Sequence, residues 1–356
     1  MTKLIRFLAC LILIFFVTGC SKDKTDSLKI GAILPLAGPA AQMGQEMQRG
    51  QLLAKEYWNN NRDTYKIPKV ELLIEDSKSS PKDALSSYMK LRAQDVKIFT
   101  ANLSSVCLAL LPKVDEDNIL LFADAAHPAI TQKPNPKVFR NSSTSELEAQ
   151  EISKSLLKKD IKKISVLYIN DEYGIAFLKE LHRILESKTT IIDIAFDANT
   201  SDYRPLALKA QQVKPDTVII VGIGKSIGML IQTLRTQGFK GDIYANIGYL
   251  LTGGREAAGN ARRGVYFTKM RVPVTEAGKW AEKEYEKRFG KQIPAEALLE
   301  FNSISLIVLA SVDTKMIALE ISHNMRNTVI KLFGEDRLNA KGDILPDMEV
   351  LIDDGN

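Results

Sequence analysis

Short apolar runs alternate with amphipathic segments along most of this 356-residue chain, and this alternation constrains the fold more than any other feature. The runs 29–34, 70–74, 96–100 and 120–123 have the length and composition of buried strands, and the segments between them carry apolar residues at helical spacing. Strands that alternate with helices form parallel sheets with helices on both faces. The sequence therefore predicts an α/β fold.

A second series of the same kind follows the first, and an extended segment, 134–140, lies between them. The strand-like runs of the second series are 164–169, 191–196, 217–221 and 243–245. Because about 150 residues is a common domain size, two series in one chain predict two lobes, with a crossover near Asn141. After residue 265 the patterns are mostly helical, with helices predicted over 275–289, 295–321 and 324–331.

The first twenty residues predict an export signal. Lys3 and Arg6 precede an unbroken apolar run of eleven residues, 7–17, which is shorter than the roughly 20 residues that span a membrane. The run ends in Val17-Thr18-Gly19-Cys20, which resembles the bacterial lipobox and implies cleavage before Cys20 and lipid on its thiol. The alternative is an ordinary export signal with a cysteine there by chance.

The expected mature protein is an exported lipoprotein. Residues 1–19 are predicted to be the signal peptide, and residues 20–27 a polar tether between lipid and fold. The protein would lie on the periplasmic face in a Gram-negative cell, or on the outer surface of the cytoplasmic membrane in a Gram-positive cell. Cys107 is then the only unmodified cysteine, so no intramolecular disulfide is expected.

Signals for catalysis, metals and nucleic acids are weak in this sequence. His127, His182 and His323 are far apart, and no paired cysteine ligands or nucleophile motif accompany them. The stretch 222–226 lacks the first glycine of a phosphate-binding loop, so we expect a turn in which Ser226 caps a helix. The net charge of +5 is spread along the chain. The sequence predicts a protein that is not an enzyme, with no cofactor, no metal and no nucleic-acid partner.

Two loops are candidates for binding a small molecule. Ser104 and Ser105 follow a buried strand and open a helix, and ligands of open α/β sheets lie beyond the carboxyl ends of strands. The free N–H groups of a helix N-terminus favour an anion there. Asp124, Ala125 and Ala126 follow the next strand and would occupy the neighbouring loop. The alternatives are a serine that only caps its helix and an ordinary turn at Asp124.

Short segments along nearly the whole mature chain resemble those of a known family, in matching order and spacing. They are Leu28–Pro39 with Gly44, Asp76-Ser77-Lys78 with Pro81, Leu103-Ser104-Ser105, Val138-Phe139-Arg140, Asp171-Glu172-Tyr173-Gly174, Lys214-Pro215-Asp216 and Asn339–Asp343. From about Leu28 to Ile352 the chain is similar to the branched-chain amino-acid (leucine/isoleucine/valine) solute-binding proteins of ABC transporters.

The resemblance implies the type I periplasmic-binding-protein fold, in which two Rossmann-like lobes with parallel central sheets are joined by a three-stranded hinge. The first lobe would comprise 28–141 plus 270–332, and the second 142–269 plus 333–356. It also implies that a small solute binds between the lobes, which close by a hinge, and that a membrane permease recognises the closed form.

Individual site residues match that family unevenly. Ser104 matches the serine that holds the ligand carboxylate, and Tyr173 matches a tyrosine of the second lobe that lines the cleft. Ala126 lacks the hydroxyl that the family uses for carboxylate and ammonium, and Ile247 stands near the acid that pairs with the ammonium. Asp124 is a candidate replacement acid; otherwise the cleft suits a carboxylate or amide without a free amine.

The predicted ligand is therefore an amino acid or a related small carboxylate or amide, bound by Ser104, Ser105, Asp124, Ala125, Ala126 and Tyr173. The alternative function is a non-transport lipoprotein of the same fold that regulates or activates cell-wall synthesis. The missing amino-acid contacts and Ser21 after the lipidated cysteine favour this alternative, whereas the lack of an extra helical-repeat domain favours the receptor.

Overall fold

The computed structural model describes residues 27–315, 317–333, 337–345 and 347–355. The predicted signal peptide, Cys20 and the tether up to residue 26 lie outside the described residues. Within the described ranges, no helix combines the length and the apolar character that a membrane span requires.

The first of two β-sheets has five strands, all parallel. Its strands are β1 (Ser27–Leu34), β2 (Lys69–Asp76), β3 (Ile98–Asn102), β4 (Leu120–Asp124) and β5 (Val138–Arg140). They lie in the order β2-β1-β3-β4-β5, and β3 at the centre is buried along its whole length. Burial is the reason that β3 and β4 are continuous apolar runs in the sequence, whereas β2 at the edge is mostly partly buried and carries charged residues.

Helices connect these strands and cover both faces of the first sheet. They are α1 (Ala41–Asn60), α2 (Arg62–Tyr65), α3 (Pro81–Arg92), α4 (Ser104–Glu116) and α5 (Ala129–Gln132). Local sequence fixes where α3 begins: the Ser80 side chain accepts a hydrogen bond from the Asp83 N–H, and Pro81 supplies the backbone angle of a first helical residue.

The second sheet has six strands in the order β11-β10-β9-β8-β6-β7. Its strands are β6 (Lys163–Ile169), β7 (Thr190–Phe196), β8 (Thr217–Val221), β9 (Asp242–Ala245), β10 (Tyr266–Arg271) and β11 (Asp347–Ile352). All pairs are parallel except β10 with β11, which is antiparallel. Its helices are α6 (Ser145–Leu156), α7 (Glu172–Leu185), α8 (Arg204–Gln212), α9 (Lys225–Thr236) and α10 (Gly254–Ala258).

Three later helices return to the first sheet. They are α11 (Glu276–Phe289), α12 (Ala295–Ala310) and α13 (Ala318–Phe333). Their apolar residues share one buried cluster with residues of β1 and β4, including Ile30, Phe122 and Phe301. A Cβ on Gly50 of α1 would lie 1.9 Å from the Ala297 carbonyl oxygen, so α1 and α12 can approach this closely only because residue 50 is glycine.

The predicted α/β fold with two mostly parallel sheets is confirmed, and two details after residue 265 were wrong. The sequence patterns did not predict β10 and β11. It also predicted one helix over 295–321, whereas α12 ends at Ala310. The Ser311 hydroxyl donates to the Val308 carbonyl oxygen, and Asp313 adopts a positive φ of 60°, a backbone conformation that ends a helix.

We call the first sheet with α1–α5 and α11–α13 the first lobe, and the second sheet with α6–α10 the second lobe. The chain passes between them after β5, after β10 and before β11. At this hinge the buried Arg140 donates to Asp343 over 2.9 Å and to the His127 carbonyl oxygen. Ile344 packs in the core of the first lobe, so the chain joins the second lobe only after that residue.

Candidate ligand-binding cleft

Loops at the carboxyl ends of the two sheets meet across the gap between the lobes. Ile223 and Leu251 of the second lobe pack against the apolar cluster of the first lobe that contains Leu34, Met43 and Met47. Parallel α/β sheets bind ligands beyond these strand ends. The structure therefore shows the lobes closed on each other at the edge where a ligand site is expected.

A polar contact joins the lobes at the same edge. Glu296, in the first turn of α12, accepts hydrogen bonds on Oε1 from the Thr252 N–H at 3.0 Å and from the Thr252 hydroxyl at 2.5 Å. Thr252 lies in the loop before α10 of the second lobe. Opening the lobes would break both hydrogen bonds, so this pair contributes to the closed arrangement.

Ser104 connects two loops of the first lobe. It begins α4 after Leu103, whose φ is 70°, and its side chain does not cap that helix. Instead, its Oγ accepts a hydrogen bond from the His127 N–H at 3.2 Å. Because one lone pair takes this N–H, the hydroxyl hydrogen is available for a ligand oxygen. Ser105, the next residue, is partly exposed.

The predicted loop after β4 is split between the lobes. Asp124 ends β4, pairs in register with Asn102 of β3 and is partly exposed. Ala125 is buried in the core of the first lobe, whereas Ala126 packs against the core of the second lobe. The Ala126 carbonyl oxygen accepts from the Ser145 N–H at 2.8 Å. Ala125 and Ala126 thus position the loop and the hinge.

Asp124 belongs to a cluster of acid and amide side chains in the first lobe, which we call the acid cluster: Asp124, Glu300, Asn102 and Gln51. Glu300 is buried on α12 and accepts from Asn102 Nδ2 and from Gln51 Nε2, each at 2.5 Å. Burial and the neighbouring Glu300 raise the pKa of Asp124 well above its ordinary value, and burial raises the pKa of Glu300.

Some buried oxygens in and beside the acid cluster have no hydrogen-bond donor. Gln51 Oε1 and Asn102 Oδ1 are buried and have no hydrogen-bond partner among the described residues, and the same is true of Glu296 Oε2. Glu296 and Glu300 are four residues apart on α12 and so lie on one face of that helix. Within the described part of the chain, three buried oxygens in and beside the acid cluster are therefore unpaired.

Tyr173 of the second lobe is not part of the acid cluster and has its own hydrogen-bond partners. Its hydroxyl donates to Glu148 Oε2 at 3.0 Å and accepts from Asn246 Nδ2 at 2.7 Å. The Asp171 side chain caps α7 by accepting from the Gly174 N–H, which fixes the start of the helix that carries Tyr173. Burial raises the pKa of Tyr173 well above its usual range, so it is a neutral phenol at physiological pH.

Glu148 on α6 is fully buried beside Tyr173 and has three donors. Besides the Tyr173 hydroxyl, it accepts from the Ser143 hydroxyl at 3.2 Å and from the Ile247 N–H at 3.1 Å. Burial raises the pKa of Glu148 to about 7, although these hydrogen bonds oppose the shift. Glu148 is thus an acid beside Ile247, but it belongs to α6, and protein donors already bond to its carboxyl oxygens.

The sequence patterns did not indicate several polar residues of these arrangements: Glu148, Asn246, Glu296, Glu300, Asn102 and Gln51. One signal was available for Glu300, because it is the only charged residue in the stretch 297–310 of α12, and a charged residue inside a mostly apolar helix is unusual unless it is paired or functional. No local pattern distinguishes Asn102 or Gln51, which come together only because β3, α1 and α12 pack on one another. Across the described ranges, no group of three histidine, cysteine or acidic residues is arranged to hold a metal ion.

Comparisons with known proteins agree with this architecture. A family model described as periplasmic binding protein matches residues 27–319. A Leu/Ile/Val-binding protein homolog of Brucella melitensis is 25% identical over 307 residues, which cover 83% of this chain and 80% of the relative.

Solved structures show the same fold at low sequence identity. The branched-chain amino acid transporter substrate-binding protein of Streptococcus pneumoniae, in complex with isoleucine, superimposes with a TM-score of 0.80 at 18% identity and covers 93% of this chain and 97% of its own. An ABC transporter solute-binding protein of R. palustris, in complex with benzoate, gives a TM-score of 0.78 at 18% identity and covers 91% and 92%. The same fold thus holds ligands with and without an amino group.

Proposed function

Because the chain belongs to the periplasmic binding protein family, we propose that it is the solute receptor of an ABC importer and that it binds a small molecule between its lobes by hinge closure. The observation that supports this proposal is the meeting of the two sets of strand-end loops, where Ile223 and Leu251 pack on the first lobe and Thr252 donates to Glu296. Hinge closure requires a ligand that binds the closed form better than the open one.

The proposed ligand is an amino acid or a related small molecule, held by Ser104, Ser105, Asp124 and Tyr173, with Ala125 and Ala126 in the adjoining loop. The free hydroxyl hydrogen of Ser104 supports this assignment, and so does the position of Asp124 at the end of β4. The permease would recognise the closed lobes. The proposed role is transport and not catalysis.

The proposed division into lobes follows the packing. One buried cluster joins residues of β1 and β4 with residues of α11–α13, and another joins α6–α9 with β6, β8 and β9. From the resemblance, the first lobe is expected at about 28–141 plus 270–332 and the second at about 142–269 plus 333–356. We propose that the last boundary lies later, after Ile344, because Ile344 packs in the core of the first lobe. Residues 1–19 would be removed on export and lipid on Cys20 would hold the mature protein at the membrane.

A ligand screen followed by scattering tests the proposed function. The chain from Ser27 onward would be mixed with amino acids, amines, amides and small carboxylates, and stabilisation would be followed by thermal shift. We expect at least one compound to raise the melting temperature and, in small-angle X-ray scattering, to reduce the radius of gyration through lobe closure. A protein that no small solute stabilises, but that binds and activates a cell-wall synthase, would support the regulator instead.

A further inference from the structure

Two of the three chain crossings between the lobes are bonded to α12 at their first-lobe ends. In the crossing after β5, Asn141 Nδ2 donates to the Leu299 carbonyl oxygen at 3.3 Å and to Ser303 Oγ at 3.1 Å. In the crossing after β10, the Pro273 carbonyl oxygen accepts from Asn302 Nδ2 at 2.8 Å. Both crossings therefore start from fixed points on one helix of the first lobe.

The second-lobe ends of the same two crossings meet at Glu148. The Ser143 hydroxyl, just after Asn141, donates to Glu148 Oε1 at 3.2 Å. The hydroxyl of Thr268 on β10 lies beside the same carboxyl group, is fully buried and has no hydrogen-bond partner among the described residues. Only a few residues of each crossing lie between its two ends, so those residues must absorb a change in the angle between the lobes.

The same carboxyl group is bonded to the cleft side of the second lobe. Its Oε2 accepts from the Tyr173 hydroxyl at 3.0 Å and from the Ile247 N–H at 3.1 Å. Tyr173 follows β6 and Ile247 follows β9, so both come from loops at the carboxyl ends of the second sheet. One buried side chain of α6 therefore links the hinge to the cleft.

The partners that Glu148 needs depend on its charge. An ionised carboxylate only accepts hydrogen bonds, whereas a protonated carboxyl group also donates one. A buried carboxylate is costly unless several donors surround it. Burial raises the pKa of Glu148 to about 7, and donors from Ile247, Tyr173, Ser143 and Thr268 oppose this shift. Both forms are therefore populated near neutral pH.

The titratable groups that face Glu148 come from α7. Tyr173 is bonded to it, and Asp171 acts through its charge on Tyr173. Burial raises the pKa of Asp171 to about 6, so Asp171 titrates near the same range and variants must separate the two. The elements that pack on α6 are α7, β10 and β11. Their other charged groups include pairs that do not involve Glu148: Glu180 with Arg183, Arg271 with Glu349, and Asp347 with Arg337.

We propose that Glu148 couples the hinge to the cleft and that the charge on its carboxyl group sets the balance between open and closed lobes. This inference rests on the proposed hinge closure and adds a proton-dependent control to it. Opening turns the crossings and draws the Ser143 and Thr268 hydroxyls away from Glu148. Burial by α6, α7 and β10 remains, because all three belong to the second lobe. The ionised form therefore favours the closed lobes.

Small-angle X-ray scattering of the ligand-free protein tests this coupling. Because the closed form holds the carboxylate better, its Glu148 releases a proton at lower pH than in the open form, and a rise in pH favours closure. We expect the radius of gyration to fall as the pH rises from about 6 to about 8, with a midpoint at about 7. A radius that stays constant over this range would overturn the inference.

Two matched variants assign the response to Glu148. Glu148→Gln cannot titrate and keeps one acceptor oxygen, so its radius of gyration should not change over this range. The control is Glu180→Gln on α7, whose carboxylate is paired with Arg183 and Gln150 and has a lowered pKa; it should respond as the unchanged protein does. The same pH response in Glu148→Gln as in the unchanged protein would contradict the assignment.

Ser143→Ala tests the hinge donor without removing the carboxyl group. Loss of a hydrogen bond to the carboxylate should move the midpoint up by about one pH unit, which is a tenfold change in proton affinity. Ser153→Ala is the control on α6, because its buried hydroxyl donates to the Ala149 carbonyl oxygen, and its midpoint should stay in place. A purely structural role of Ser143 would lower stability and leave the midpoint unchanged, which would also refute the coupling.

This inference and the proposed function can fail separately. A protein that binds a solute in the wider screen, but whose radius of gyration does not respond to pH, would keep the receptor function and lose the coupling. A pH response that depends on Glu148, in a protein that no small solute stabilises, would support the coupling and remove the receptor function.

Discussion

The two lobes bury carboxyl groups in opposite ways. In the second lobe, Glu148 accepts from Tyr173, Ser143 and the Ile247 N–H, so protein donors satisfy its oxygens. In the first lobe, Glu300 lies beside another acid and is bonded to amides whose own oxygens have no partner in the described part of the chain. The two buried carboxyl groups therefore differ in the partners that surround them: hydroxyl and backbone donors at Glu148, and amides and a second acid at Glu300.

The largest expected effect is at Glu148. Glu148→Ala would leave three buried donors without an acceptor and create a cavity, so we expect a loss of about 3–5 kcal/mol in the free energy of unfolding. Urea denaturation measures this loss. Glu146→Ala, an exposed position on the same helix, is the control and should change stability by less than about 1 kcal/mol. Similar losses in both variants would show that the donors around Glu148 do not stabilise the lobe.

The pH dependence of stability is a second test of the buried carboxyl groups in the two lobes. The pKa of Glu148 rises from 4.5 to about 7 on folding, so its contribution favours the folded state fully below pH 4.5 and is lost as the pH rises through 7. The loss is about 3 kcal/mol for a shift of this size. The raised pKa values of Asp124 and Glu300 likewise lower the stability of the folded state as the pH rises.

Urea denaturation at several pH values between 4.5 and 8 checks this prediction. Glu148→Gln cannot titrate, so we expect a flatter dependence than in the unchanged protein. Asp124→Asn should also make the pH dependence of the free energy of unfolding flatter. The effects of the two substitutions should add because the two residues lie in different lobes. An unchanged slope in Glu148→Gln would show that Glu148 does not titrate in this range.

Ser104 tests whether the first lobe contacts the ligand directly. Its hydroxyl hydrogen is free because Oγ accepts from the His127 N–H. We expect Ser104→Ala to weaken a ligand that carries a carboxylate by about 1–3 kcal/mol, measured by calorimetry. Ser86→Ala on α3, whose hydroxyl bonds only to the Lys82 carbonyl oxygen of its own helix, should bind normally. Equal affinity in both variants would remove Ser104 from the site.

The smallest expected effect concerns the contact between the lobes. Thr252→Val removes the hydroxyl that donates to Glu296 and retains the N–H that also donates. We expect ligand affinity to fall by about 1 kcal/mol because the closed form loses one hydrogen bond. Thr252→Ser keeps a hydroxyl and should behave like the unchanged protein. Tighter binding by the valine variant would contradict a role of this contact in closure.

Local sequence determined the strands and helices that carry the site. Buried parallel strands are apolar along their length, so β1, β3, β4, β6 and β8 are visible as short runs, and Ser104 and Asp124 follow two of them. The strands β10 and β11 were missed because each is only partly buried and carries charged residues. Their pairing depends on segments that are about 80 residues apart in the chain.

Only the tertiary structure decided which polar groups face each other at the cleft. Gln51, Asn102 and Glu300 lie on three elements far apart in sequence, and Glu148 reaches the Ile247 N–H from a helix 99 residues earlier. Sequence periodicity reports which face of an element is buried, because burial depends on local spacing. The balance of donors and acceptors around a carboxyl group depends on contacts between elements, and folding alone sets that balance.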